Sequence, residues 1–131
     1  MICAVMQPTS FPWIGYFDLI DSSDIFVFYD DVQFVKQSWQ VRNRIKTANN
    51  IQYINIYSIK NSLLSNINEI KIDNSKPWRK KLLKTLFYTY QKSTYFEEFY
   101  SVIEKLLNND FKFLSNFNQD FIILISEKIG I

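Results

Sequence analysis

The first half of the chain alternates between short apolar runs and polar loops. Residues 2–6 and 25–29 are wholly apolar, which is typical of strands that are buried on both faces of a sheet. Between these runs, residues 15–22 carry Tyr16, Leu19 and Ile20 at the spacing of a short helix. Two buried strands joined by a helix predict a βαβ unit with a parallel sheet.

The pattern continues with a third strand and then changes character. Residues 52–59 alternate between apolar and polar positions, so we expect them to extend the same sheet, and residues 69–72 suggest a short fourth strand. Beyond Pro77, which suits the first turn of a helix, apolar residues recur at helical spacing to the end of the chain.

These elements predict an α/β fold in a single domain of residues 1–131. Residues 1–74 form a small, mainly parallel sheet with a Rossmann-like or nucleotidyltransferase-like βαβ start, and residues 75–131 form a helical half. We expect the exposed apolar surface to lie on the last helix, where it would support a homo-oligomer. Its members are Phe117, Phe121, Leu124 and Ile125.

The composition limits the possible partners, metal ligands and disulfides of the protein. The 131 residues are 47% hydrophobic and 18% aromatic, enough for one well-packed core, and the net charge of +2 does not favour nucleic acid as a partner. The absence of histidine removes the usual general base and the commonest zinc ligand, and a single cysteine cannot form an intrachain disulfide. With no apolar stretch of membrane-spanning length and no leader pattern, we expect a cytoplasmic protein.

The loop after the first strand is a candidate binding site. In an open parallel sheet, ligands bind beyond the carboxyl ends of the strands, which is where residues 7–15 lie. Gln7 and Thr9 are the polar side chains best placed to face a cavity, and Gly15 lies at a helix start that suits an anion. The alternative is an ordinary tight connection in which Phe11 and Trp13 pack.

A pair of carboxylates follows the second strand. Asp30 and Asp31 would open onto the same edge as the first loop, where one could bind Mg²⁺, orient an amine or act as a general base. The alternative is turn chemistry, for which adjacent aspartates are common. We favour Asp30, because it is nearer to the end of the strand.

A basic and aromatic cluster comes next, within nine residues: Lys36, Trp39, Arg42, Asn43 and Arg44. Guanidinium groups bind phosphate or carboxylate with two hydrogen bonds, and an indole ring can stack on a base or a sugar. If the segment is extended, Arg42 and Arg44 lie on one side and Asn43 on the other. The alternative is a solvated segment with ordinary ion pairs to Asp30 or Asp31.

These motifs resemble the opening of a known family. The resemblance lies in five segments, namely Met6-Gln7-Pro8-Thr9, Phe11-Pro12-Trp13, Gly15-Tyr16-Phe17, Asp30-Asp31-Val32-Gln33-Phe34-Val35-Lys36 and the segment from Ser38 to Ile45. In this order they are similar to the WbqC-like family of bacterial polysaccharide-biosynthesis proteins. Members of that family usually continue beyond the length of this chain, so the resemblance implies an N-terminal portion.

The resemblance implies a transferase of surface polysaccharide (O-antigen, lipopolysaccharide) biosynthesis. The reaction would be acyl or glycine-type aminoacyl transfer to an amino-sugar nucleotide, with coenzyme A or a carrier-protein thioester as the donor and Mg²⁺ left open. Asp30 or Asp31 would take the amine proton. The binding residues would be Gln7, Thr9, Tyr16, Gln33, Lys36, Trp39, Arg42, Asn43 and Arg44, of which Gln7, Thr9, Lys36, Arg42 and Arg44 would share one cleft with Asp30. The alternative is a non-catalytic interaction module of a glycan-assembly complex.

Overall fold

The computed structural model describes residues 1–59 and 64–131. Four strands and four α-helices occur in the order β1 (Cys3–Met6), α1 (Ile14–Asp21), β2 (Ile25–Phe28), β3 (Arg42–Lys46), β4 (Ile51–Asn55), α2 (Trp78–Tyr90), α3 (Phe96–Leu107) and α4 (Leu114–Ile129). A short 3-10 helix, Ile67–Glu69, lies between β4 and α2. None of the helices in the described part of the chain is long and apolar enough to cross a membrane.

The βαβ unit predicted from the sequence is confirmed. Strands β1 and β2 pair in parallel, with Cys3 opposite Ile25 and Met6 opposite Phe28, and α1 connects them. The fold is therefore α/β, with a small parallel sheet near the N-terminus and helices mostly in the second half.

The expectation that both strands are buried on both faces is wrong. Ala4 is the only buried residue of β1, whereas Val5, Ile25 and Val27 are 52%, 47% and 42% exposed. The other face packs on α1 and α4, where Phe26 and Phe28 contact a cluster that contains Tyr16, Phe17 and Ile122. An apolar run can come from a strand with either one or two covered faces, so the pattern alone could not distinguish them.

The prediction that residues 52–59 join the parallel sheet is also wrong. Strand β4 pairs antiparallel with β3 in a separate two-stranded sheet, with Arg44 opposite Tyr53. A tight turn causes this, because the Thr47 N–H donates to the Asn50 carbonyl oxygen over 2.8 Å and closes a hairpin. The suggested strand at 69–72 is instead the end of the 3-10 helix followed by two isolated bridges.

Helix α4 forms the centre of the core instead of its edge. Phe117 is 1% and Phe121 7% exposed, while Leu124 and Ile125 are half-buried, so the predicted exposed apolar helix face is wrong. The helix packs against the first half of the chain, where it contacts both α1 and the 3-10 helix. These two contacts cover the apolar side of α4. Strands β1 and β2 carry exposed apolar side chains of their own, among them Val5, Ile25 and Val27.

Candidate functional site

Buried polar side chains connect the loop after β1 to α4. The Ser10 hydroxyl, which is fully buried, lies 2.7 Å from the Gln40 carbonyl oxygen and 3.0 Å from Asn118 Oδ1. Asn118 Nδ2 donates to the carbonyl oxygens of Gln40 (2.8 Å) and Pro8 (3.2 Å). Because a buried polar group without a partner is costly, these bonds fix the loop to the helix.

Gln7 and Tyr16 belong to the same network. Gln40 Nε2 donates to Gln7 Oε1 over 2.6 Å, and the Ser38 hydroxyl donates to Gln40 Oε1 over 2.7 Å. The Tyr16 hydroxyl donates to the Gln7 carbonyl oxygen over 3.0 Å. Burial raises the pKa of the Tyr16 phenol, so this group stays a neutral hydrogen-bond donor.

Asn43 holds the first loop from the side of the hairpin. Its Nδ2 donates to the carbonyl oxygens of Ser10 (3.1 Å) and Phe11 (2.7 Å). Phe11 has a φ of 49°, in the left-handed region that is unfavourable for a bulky residue. The Phe11 ring packs edge-on against Phe121 with its centroid 4.8 Å away, and this packing together with the Asn43 bonds stabilises the strained backbone.

Asp30 is bound by α4. Its Oδ2 accepts hydrogen bonds from the Ser115 hydroxyl (2.5 Å) and from Gln119 Nε2 (2.9 Å), and the Asp30 carbonyl oxygen accepts the Asn68 N–H (3.0 Å). Asp31, in contrast, has an exposed side chain. The carboxylate at the end of β2 is thus oriented by two neutral donors and not by an arginine.

The arginines lie on the outer face of the hairpin, each stacked on an aromatic ring. The Arg42 guanidinium carbon is 5.0 Å from the centroid of Tyr53, and that of Arg44 is 5.6 Å from the centroid of Trp39. We call these four side chains the hairpin face. In the described part of the chain neither guanidinium has a carboxylate within 4.0 Å, so the expected ion pairs with Asp30 or Asp31 are not formed.

Backbone contacts link the hairpin face to the buried network. The Ser10 N–H donates to the Trp39 carbonyl oxygen over 2.7 Å. This bond fixes the backbone of Trp39, whose ring stacks against the Arg44 guanidinium. Alternation along β3 then sends Asn43 towards the loop and Arg42 and Arg44 to the opposite side, as the sequence predicted for an extended segment. The network therefore orients a face that is itself open to solvent.

The sequence profile of the WbqC-like protein family matches residues 7–131. The chain belongs to the WbqC-like family. It is also 38% identical over 96 residues to a protein of Mycobacterium tuberculosis (strain ATCC 25618 / H37Rv) named "Uncharacterized protein Rv1507c". That match covers 72% of this chain and 41% of the M. tuberculosis protein, so the chain spans less than half of its relative's length. No solved structure matches.

The motif residues of this WbqC-like protein divide into two groups. Gln7, Tyr16, Asp30 and Asn43 enter hydrogen bonds that hold the fold together, whereas Arg42, Arg44 and Trp39 form the exposed hairpin face. Of the other candidates, Thr9 is half-buried, and Lys36 and Gln33 are exposed; Gln33 also bridges to Asn66. In place of direct contacts between Gln7, Asp30 and the arginines, the structure shows these two groups.

Sequence reasoning missed four residues that build the network: Ser10, Gln40, Ser115 and Asn118. A signal for two of them was present, because Ser115, Asn118 and Gln119 recur at helical spacing as a polar stripe on an apolar helix. No comparable signal marks Ser10 or Gln40, whose loops come together only in the fold. Within residues 1–59 and 64–131, no group of three or more acidic or cysteine side chains could hold a metal ion.

Proposed function

We propose that this WbqC-like protein transfers an acyl or aminoacyl group to an amino-sugar nucleotide during surface polysaccharide biosynthesis. The hairpin face binds the phosphates of the nucleotide, and its rings stack on the base or the sugar. The reaction class rests on the family resemblance, and the binding surface rests on the geometry of the arginines.

One observation carries the proposal: two guanidinium groups share an exposed face with two aromatic rings and have no carboxylate partner among the described residues. Neighbouring like charges repel each other, so the face is more stable when a dianion lies between Arg42 and Arg44. Stacking on Tyr53 and Trp39 holds each guanidinium plane while its N–H groups stay available for phosphate oxygens.

The chemistry needs positioning and a proton acceptor. The amine of the sugar attacks the acyl carbonyl, and the C–N bond forms as the C–S bond of a thioester breaks and the thiolate leaves. The amine gives up one proton to a carboxylate. Asp30 and Asp31 are the carboxylates that we assign to that proton. Both side-chain hydrogen bonds to Asp30 in the described part of the chain go to Oδ2, so the orientation of the carboxylate is fixed. Such a reaction gains most of its rate from holding the reactants together.

Calorimetric titration of the protein with uridine diphosphate tests the binding surface. We expect Arg44→Lys to weaken binding by about tenfold, because lysine keeps the charge but loses the paired hydrogen bonds. Lys105→Gln is the control, since Lys105 is an exposed lysine of α3. Equal affinity in the wild type, Arg42→Lys and Arg44→Lys would refute the proposal.

The second candidate function is an interaction module of a glycan-assembly complex. It is favoured by the exposed apolar face of the parallel sheet, where Val5, Ile25 and Val27 are each about half exposed. Parallel sheets are normally covered on both faces. If Val5→Lys abolished the function of the protein in cells while uridine diphosphate binding stayed intact, this second function would be favoured.

A further inference from the structure

A second charged surface lies in the groove between α2 and α3. The groove has a volume of about 550 Å³, and its lining includes Arg79, Lys80, Leu83, Lys84 and Tyr100. Cationic side chains come from α2, and the apolar side chains come from both helices. None of these residues belongs to the hairpin face.

The positive charge in this groove has no carboxylate beside it among the described residues. Helix α2 contains Arg79 and three lysines but no acidic residue, and the described residues that line the groove include no carboxylate. In residues 1–59 and 64–131, the ion pairs join the N-terminal amine to Asp24 and Lys128 to Glu98, so none involves α2. Crowded cations of this kind repel each other and favour an anionic ligand.

Arg79 is the most informative of these cations. Its Nη1 donates to Asn74 Oδ1 over 2.7 Å, Asn74 Nδ2 donates to the Phe111 carbonyl oxygen over 2.9 Å, and the guanidinium carbon lies 4.7 Å from the Trp78 ring centroid. Nε and Nη2 are buried, and neither has a hydrogen-bond partner among the residues that the structure describes. These two N–H groups share one edge of the guanidinium plane, which is the edge that binds two oxygens of a phosphate or carboxylate.

We propose that this groove binds a phosphate ester that carries an apolar chain or ring. The phosphate takes the unpartnered edge of Arg79, with Lys80 and Lys84 adding charge, and the apolar part lies against Leu83 and Tyr100. Because Nε and Nη2 are closed to bulk water in the free protein, the Arg79 side chain turns this edge towards the groove as the phosphate enters. That rotation changes the contact between the guanidinium and Trp78.

Trp78 makes the proposal measurable. In a Trp13→Phe, Trp39→Phe background, Trp78 is the remaining tryptophan, and its fluorescence reports the position of Arg79. Titration with n-octyl phosphate is expected to give a saturable change, with an affinity about tenfold higher than for inorganic phosphate or for uncharged n-octyl glucoside. Both parts of the ligand are then needed.

Variants separate a binding role from a structural one. We expect Arg79→Lys to weaken n-octyl phosphate binding by about tenfold. Lys71→Gln, at an exposed lysine outside the groove, is the control and should leave this binding unchanged. Lys84→Gln, on the exposed side of the groove, is a second test if Arg79→Lys does not fold. Absence of a saturable change, or equal affinity in Arg79→Lys, Lys84→Gln and the parent, would overturn the proposal and leave an internal water as the partner of Arg79.

The protein could bind such a phosphate ester either as a free molecule or as a lipid in a bilayer. Sedimentation with phosphatidic acid vesicles, but not with phosphatidylcholine vesicles, would identify a membrane lipid as the source. Binding of n-octyl phosphate without sedimentation would identify a soluble ester. Trp39, which is replaced only to isolate the fluorescence of Trp78, is the one hairpin-face residue in this test, so its result is separate from that for the proposed transferase function.

Discussion

Replacing Asn118 by alanine tests whether the buried polar network stabilises the fold. Asn118 is fully buried and makes three hydrogen bonds: to Ser10 (3.0 Å), to the Gln40 carbonyl oxygen (2.8 Å) and to the Pro8 carbonyl oxygen (3.2 Å). The Ser10 hydroxyl keeps an acceptor in the variant, because it also lies 2.7 Å from the Gln40 carbonyl oxygen. The Pro8 carbonyl oxygen loses the side-chain donor that the structure gives it.

The expected loss follows from these contacts. The lost bond to the Gln40 carbonyl oxygen costs about 1 kcal/mol net, and the Pro8 carbonyl oxygen left without this donor costs about 1–3 kcal/mol, so Asn118→Ala should lower the free energy of unfolding by roughly 3 kcal/mol. That is a large part of the roughly 5–15 kcal/mol that stabilises a typical domain. Equilibrium unfolding in urea measures the change, provided that the slope with denaturant stays constant.

Asn116→Ala is the matched control, because Asn116 is exposed on the same helix. Both substitutions gain the same helix propensity, about 0.5 kcal/mol, so their difference isolates the network. If Asn118→Ala and Asn116→Ala had free energies of unfolding within about 0.5 kcal/mol of each other, the network would not hold the loop to the helix.

Three further predictions concern the N-terminal half. Burial raises the pKa of the Tyr16 phenol, so above about pH 10 the unfolded state loses the phenol proton before the folded state does, and the free energy of unfolding falls by up to about 1.4 kcal/mol per pH unit. Tyr16→Phe should make this fall less steep in urea titrations, and an unchanged pH profile would contradict the prediction. Gly15→Ala should shift the tryptophan emission but lower the free energy of unfolding by less than about 1 kcal/mol. The new Cβ would lie 2.1 Å from the exposed Trp13 ring, which can rotate away; a larger loss of stability would mean that this ring is fixed. Cys3, on the uncovered sheet face, should react with a thiol reagent in the native protein as fast as in urea, and strong protection would show that this face is covered.

The local part of the fold was predictable and the long-range part was not. The apolar runs on either side of α1 identified β1 and β2 and their parallel pairing correctly. The β3–β4 hairpin was missed, although Thr47-Ala48-Asn49-Asn50 contains the turn residues that would have indicated it. Helix α4 was expected at the surface, because nothing in its own pattern tells that it packs against elements more than 80 residues earlier.

The same limit applies to the site. Alternation in an extended segment correctly separated Asn43 from Arg42 and Arg44, because it depends only on neighbouring residues. Asp30 was expected to meet the arginines and instead meets Ser115 and Gln119. Which hydrogen-bond donor reaches a carboxylate depends on how the helices pack against the sheet, and a single sequence carries little information about that packing.

Mapping ligand contacts by NMR tests whether the hairpin face binds a sugar nucleotide. In a ¹H–¹⁵N spectrum titrated with uridine diphosphate N-acetylglucosamine, we expect saturable shifts of the Trp39 indole N–H, of the Arg42 and Arg44 side chains, and of the backbone amides of β3 and β4. The indole N–H of Trp78, which is buried in the core, should stay in place. If the hairpin signals stayed unchanged while signals of α2 or the parallel sheet shifted, or if no signal shifted at all, the hairpin face would not be the sugar-nucleotide site.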